Sequence, residues 1–143
     1  VIVFPNTVMA VCAWIRDQLP ALSAGKPWDV PLVTNRWNDT DLRSTRWAVI
    51  VRNDGGPDDS PVSQSVSLGI TCFGPRGGSE SEDVACERLA QAVAAIIRDC
   101  AQVGLVNPFA ACTDLNGPYP VPSETGRPAY YLTATVTVVG QPV

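Results

Sequence analysis

Two runs of alternating residues constrain this chain more than anything else in it. The apolar side chains of Val66, Leu68, Ile70 and Cys72 fall at every second position, with Ser65, Ser67, Gly69 and Thr71 between them. Later in the sequence Tyr130, Leu132, Ala134, Val136 and Val138 repeat the pattern against Tyr131, Thr133, Thr135, Thr137 and Val139. Successive side chains of a strand point to opposite faces, so each run predicts a strand with one apolar and one wet face. Such strands suit an antiparallel sheet that is covered on one side only.

The cover is predicted to be helical. Val8, Val11, Cys12, Ile15 and Leu19 recur at helical spacing within residues 5–19, and Ala85, Leu89, Val93, Ile96 and Cys100 do so within residues 80–101. Pro20 and the S-A-G-K-P stretch at 23–27 are expected to end the first helix, and Gly104 the second. Further strands are expected at residues 30–37, 46–52 and 62–73. The first two are read as a hairpin closed by the polar turn 38–41, with the pairs Arg36-Trp37 and Arg46-Trp47 flanking that turn as cross-strand packing at the open end of the hairpin or, alternatively, as an aromatic recognition patch. Residues 107–128 are dense in proline and glycine and are expected to hold only a short strand near 110–115 before the final strand at 129–140. The expected architecture is therefore one α+β domain over residues 1–143, a mainly antiparallel sheet of about four to five strands with two helices packed on one face. A chain of 143 residues, 45% of them apolar, is long enough for a single core.

Between the strand ending at Phe73 and the second helix lies the turn G-P-R-G-G-S-E-S-E-D. A glycine turn opening a helix is the usual seat of a phosphate. The details here point elsewhere. A P-loop needs a lysine and a hydroxyl directly after its last glycine, and a dinucleotide fingerprint needs G-x-G-x-x-G. Gly74, Gly77 and Gly78 satisfy neither, and Glu80, Glu82 and Asp83 in the first helical turn would repel a phosphate. Ser79 with Glu82 instead reads as a capping box, with the acids complementing the helix dipole.

Composition narrows the chemistry further. The chain has no histidine, which removes Ser-His-Asp and Cys-His nucleophile pairs. Its five cysteines, Cys12, Cys72, Cys86, Cys100 and Cys112, are too widely spaced for a zinc site and are read as reduced thiols on core faces. Ten basic residues against fourteen acidic ones give a net charge of −4, with no cationic stripe to hold nucleic acid. No apolar run approaches the roughly 18 residues of a membrane span, and residues 1–4 show no secretory pattern, so a soluble chain is expected. Carboxylate clusters remain at Asp39 with Asp41, at Asp54 with Asp58 and Asp59, and at Glu80 with Glu82 and Asp83. Each sits in a turn or at a helix start, where acids serve conformation and capping, and none has EF-hand spacing. A carboxylate-dependent hydrolase or a metal-binding module is the outlying alternative, and no catalytic, cofactor or metal residue is assigned.

The one-sided strands and long loops suit partner contact instead. The order and texture of "VIVFPNTVMAVCAWIRDQLPAL", "WAVIVRNDGG", the helix "ESEDVACERLAQAVAAIIRD" after "FGPRGG", and "LNGPYPVPSETGRPAYYLTATVTVVG" resemble the tail terminator proteins of long-tailed bacteriophages, particularly those infecting actinobacteria. The likeness covers nearly the whole chain, and none of its segments is a catalytic signature. It implies a structural subunit, not an enzyme and without a cofactor, that forms a homohexameric ring on the last ring of the tail tube and ends polymerisation. The same ring would present the joining surface for the head-tail connector, within the tail-neck region of a virion assembled in the host cytoplasm. Its partners would be further copies of itself, the tail tube protein and a connector or head-closure protein, with DNA passing the lumen unheld and no membrane involved. Another neck component, a head-closure or minor tail protein, is the nearer alternative. The loops at residues 53–61 and 107–128 are the expected contact segments, with Asp54, Asp58, Asp59, Tyr119 and Arg127 as candidate assembly contacts. Reversing the charge of Asp58 and Asp59 is expected to impair attachment to tubes without unfolding the chain.

Overall fold

A computed structural model describes residues 1–28, 31–36, 45–56, 58–60, 62–99, 109–123 and 126–142, with the main chain alone at 58–60. The element order is β1 (Ile2–Val3), α1 (Thr7–Gln18), α2 (Pro20–Ser23), β2 (Leu32–Thr34), β3 (Ala48–Asn53), β4 (Asp58–Ser60), β5 (Ser63–Phe73), α3 (Glu80–Asp99), β6 (Phe109–Pro120), β7 (Ala129–Val139) and β8 (Gln141–Pro142). The fold is α+β, as expected from the alternating runs.

β5 and β7, the two alternating segments, lie side by side at the centre of the sheet. They pair antiparallel from Ser63↔Val139 to Phe73↔Ala129, within the strand order β2-β3-β5-β7-β6. This register puts Val66, Leu68, Ile70 and Cys72 on the same face as Val136, Ala134, Leu132 and Tyr130, and all eight are buried. The opposite face carries the Ser and Thr ladder, in which the hydroxyls of Ser65 and Thr137 sit 2.9 Å apart.

α1 and α3 cover the apolar face. α1 packs on β2, β3 and α3, while α3 packs on β5, β6 and β7. Val8, Val11, Cys12, Ile15 and Leu19 from the first helix join Ala85, Leu89, Val93 and Ile96 from the second in one core. The Trp14 indole N–H donates to the Ile96 carbonyl at 3.1 Å and ties the helices together. Asn6 caps α1 by accepting from the Met9 amide. Pro20 does not end the helical path but opens the single turn α2, where its missing N–H costs nothing.

Three expectations need correction. β2 and β3 are parallel, Leu32↔Ala48 to Thr34↔Ile50, so no hairpin brings the Arg-Trp pairs together. Parallel neighbours need a connection of about a dozen residues or more, and residues 35–47 supply that length. Within that connection the expected turn 38–41 and Trp37 lie outside the described residues, as do Cys100 and Gly104. Next, the stretch after Asn53 is not a free loop. It continues along β5 through Asp54 N–H to Ser67 O and Ser67 N–H to Gly55 O, and resumes as β4, paired at Asp58↔Gln64. β6 is twelve residues long rather than a short strand near 110–115, and it pairs with β7 through three register shifts. In addition, β1 and β8 form a small antiparallel sheet, Ile2↔Pro142 and Val3↔Gln141, that alternation in such short segments does not announce.

Candidate functional site

The glycine turn is used by the chain itself. Gly74 N–H donates to Pro128 O and Gly77 N–H to Gly126 O, so amides that would cradle a phosphate hold residues 126–128 instead. Ser79 and Glu82 make the expected reciprocal cap: the Glu82 amide donates to Ser79 Oγ and the Ser79 amide to Glu82 Oε1, each at 3.4 Å. Arg127 completes this junction. It is 3% exposed, and its Nη1 donates to Arg46 O at 2.8 Å and Gly74 O at 3.0 Å. Burial, and secondarily the charge of Arg76, lowers its pKa. Its guanidinium therefore joins Arg46, the glycine turn and the residues leading into β7 from inside, a buried position for a residue expected to be an assembly contact.

The wet face of the sheet holds a different arrangement. Arg52 at the end of β3 donates through Nε to Asp54 Oδ1 at 2.7 Å and through Nη2 to the Tyr131 hydroxyl at 3.0 Å. The Asp54 hydrogen bond and charge raise the pKa of the guanidinium. Tyr131 in turn meets Tyr119 of β6 edge to face, with ring centres 5.7 Å apart and planes at 78°. Gly69 makes the gathering possible, because a Cβ there would lie 2.5 Å from the Tyr131 hydroxyl and 3.0 and 3.1 Å from the Asp54 carboxylate and the Arg52 guanidinium. The Arg52 side chain remains 64% exposed. A pair this open contributes about 0–1 kcal/mol to stability. What it does achieve is to hold a cation, a carboxylate and two rings in fixed positions facing outward.

Two of the five candidate contacts, Asp54 and Tyr119, thus belong to one network, joined by Arg52 and Tyr131, which the sequence reading did not single out. Both linkers sit at outward positions of alternating strands, and that was the available signal. Asp58 and Asp59 lie on β4, and their side chains fall outside the described residues, as do Asp39 and Asp41. Beside the network, Asp54, Ser67, Asp114, Asn116, Thr133 and Thr135 line a cleft of about 250 Å³ together with Leu68 and Ala134. Among the described residues no group of three or more His, Cys, Asp or Glu is placed to hold a metal ion. No described helix is long and apolar enough to cross a membrane.

A second cleft, of about 280 Å³, lies between α1, α2 and β2. Leu19, Pro20, Leu32 and Val33 give it an apolar lining, and Arg16 and Arg46 flank it. Arg16 is pinned there, with Nε donating to Val33 O at 3.1 Å and Nη2 to the same oxygen.

The core thiols Cys12, Cys72 and Cys86 are passive. Cys12, Cys72 and Cys86 are free and buried, and Cys112 is half-buried. Burial pushes Cys72 well above its ordinary pKa and Cys86 up to about 12. Such thiols stay protonated near neutral pH and are poor nucleophiles. No family model matches the chain, and no curated protein matches it closely enough to count as a relative.

Proposed function

We propose that this protein is a phage tail terminator, a structural virion subunit that caps the tail tube as a ring, ends tail polymerisation and offers the joining surface for the head-tail connector. The observation that carries the reading is the outward network of Arg52, Asp54, Tyr131 and Tyr119 on an otherwise hydroxyl-rich sheet face. Tyrosine and arginine are the residue types that concentrate binding energy in protein interfaces. Tyr119 is 44% exposed, so its ring is available to a partner. The sequence resemblance supplies the partner, a tail tube end, and the net charge of −4 suits a lumen through which DNA passes without being held.

The test is negative-stain imaging of the purified protein with tail tubes from the same source. Caps at one end of each tube, with growth arrested, are the expected result. Paired Arg52→Ala and Tyr119→Ala substitutions are expected to cut tube capping at least about tenfold while changing stability by no more than about 1 kcal/mol, because the network is exposed. Tubes that stay bare and keep growing in the presence of the wild-type chain would overturn the reading.

A further inference from the structure

We propose that copies of this chain associate through Val84 of one copy seated in the arginine-flanked cleft between α1, α2 and β2 of the next. This deepens the ring reading above and rests on it for its biological setting, though not for its physical argument. The cleft is formed before any partner arrives: Leu19 and Val33 are buried beneath it, Leu32 is 39% exposed at its wall, and Arg16 is fixed by its bonds to Val33 O. At about 280 Å³ it falls just below the size range of drug-sized ligand sites, roughly 300–1,000 Å³. An aliphatic side chain with its flanking methylenes fits that volume. Its two guanidiniums favour an acidic surround on whatever enters.

The same molecule carries a matching projection. Val84 is 44% exposed on the amino-terminal half of α3, outside the buried apolar stripe of that helix. Glu80 and Glu87, four residues before and three after, share its helix face, and Asp83 adjoins it. Arg88, four residues after Val84, is the one cation on that face, so three acids stand against one base around the side chain. An apolar knob among acids therefore faces outward on one surface, and an apolar cleft between arginines opens on another. α3 contributes no lining residue to the cleft, so the knob does not fill the cleft of its own copy. A contact between two different patches of identical subunits is heterologous, and it propagates into a closed ring when the rotation per step permits. Opposite charges around the apolar contact set its orientation and disfavour knob-to-knob or cleft-to-cleft encounters.

The test uses the full chain without tubes and measures mass against concentration by light scattering after size exclusion. Wild type is expected to associate, and Val84→Arg or Arg46→Glu each to weaken association at least about tenfold, both positions being exposed and the melting curves unchanged. Mixing the two variants is the decisive arm. Each retains the half that the other lacks, so a one-to-one pair is expected to form from two chains that do not self-associate. A wild-type chain that stays monomeric up to millimolar concentration overturns the proposal, as do variants that associate like wild type or a mixture that fails to pair. Tube capping read in parallel separates the two ideas. Capping without knob-and-cleft association sinks this inference alone, and association with bare tubes sinks the terminator reading alone.

Discussion

Arg127 and Tyr130 stand three residues apart at the start of β7, and both anchor it by polar means inside a largely apolar setting. The Arg127 guanidinium donates to two main-chain carbonyls, Arg46 O and Gly74 O, that lie just outside the strands β3 and β5. Substituting Arg127→Met keeps most of the stem but leaves Arg46 O and Gly74 O without that donor. Since a buried unsatisfied polar group costs about 1–3 kcal/mol, a loss of about 2–3 kcal/mol is expected from urea denaturation midpoints, with Arg127→Lys losing less. Tyr130 donates its hydroxyl to Asp83 at 3.0 Å. Burial first, and then that bond and the Asp83 charge, push the phenol up to about 12. The folded pKa exceeds the unfolded value of 10.0, so the contribution is complete below about pH 10 and is lost as pH rises toward 12. Cys86, raised from 9.0 to about 12, acts in the same direction. Thermal melts between pH 8 and 12 are expected to show falling stability, and Tyr130→Phe to make that fall shallower.

At the level of elements, what was legible in the sequence followed from burial on one face. β5, β7, α1 and α3 each bury a continuous stripe, and a stripe leaves a period of two or of 3.6 in the residues. Pairing leaves no such trace, which is why β2 and β3 read as a hairpin although they run parallel. β6 was underestimated for a different reason. Pro118 and Pro120 argue against a central strand, and they are tolerated because β6 is an edge. The acidic stretch after Asn53 reads as a loop because its glycines and proline are turn residues, yet Gly56 is there for closeness: a Cβ at this position would collide with the Ser65 carbonyl. Gly56→Ala is therefore expected to pry residues 54–58 off β5. Faster amide exchange at Asp54 and Ser67, whose bonds between the two segments lie directly beside the site, would be the measure of it. Unchanged exchange at both would show that the backbone accommodates the methyl.

For the molecule as a whole, the candidate site was half visible. Asp54 and Tyr119 were reached because they sit in irregular stretches, where contact residues concentrate. Arg52 and Tyr131 were passed over because a residue on a strand is first weighed as packing, and only register reveals that both converge beside Gly69. The burial of Arg127 is not legible because arginine is seldom fully buried, and nothing local in the sequence signals the carbonyls of Arg46 and Gly74 brought near it. The irregular edge of β6 bears on a hazard that has nothing to do with recognition. Fibres of the cross-β kind grow when one strand copies itself onto a flat, unbroken row of donors and acceptors. β6 shifts register between Phe109 and Ala111, between Thr113 and Asn116, and again before Tyr119, and its prolines remove two donors. A chain made in quantity is thus steered away from amyloid growth along that side while its folded faces stay free to assemble.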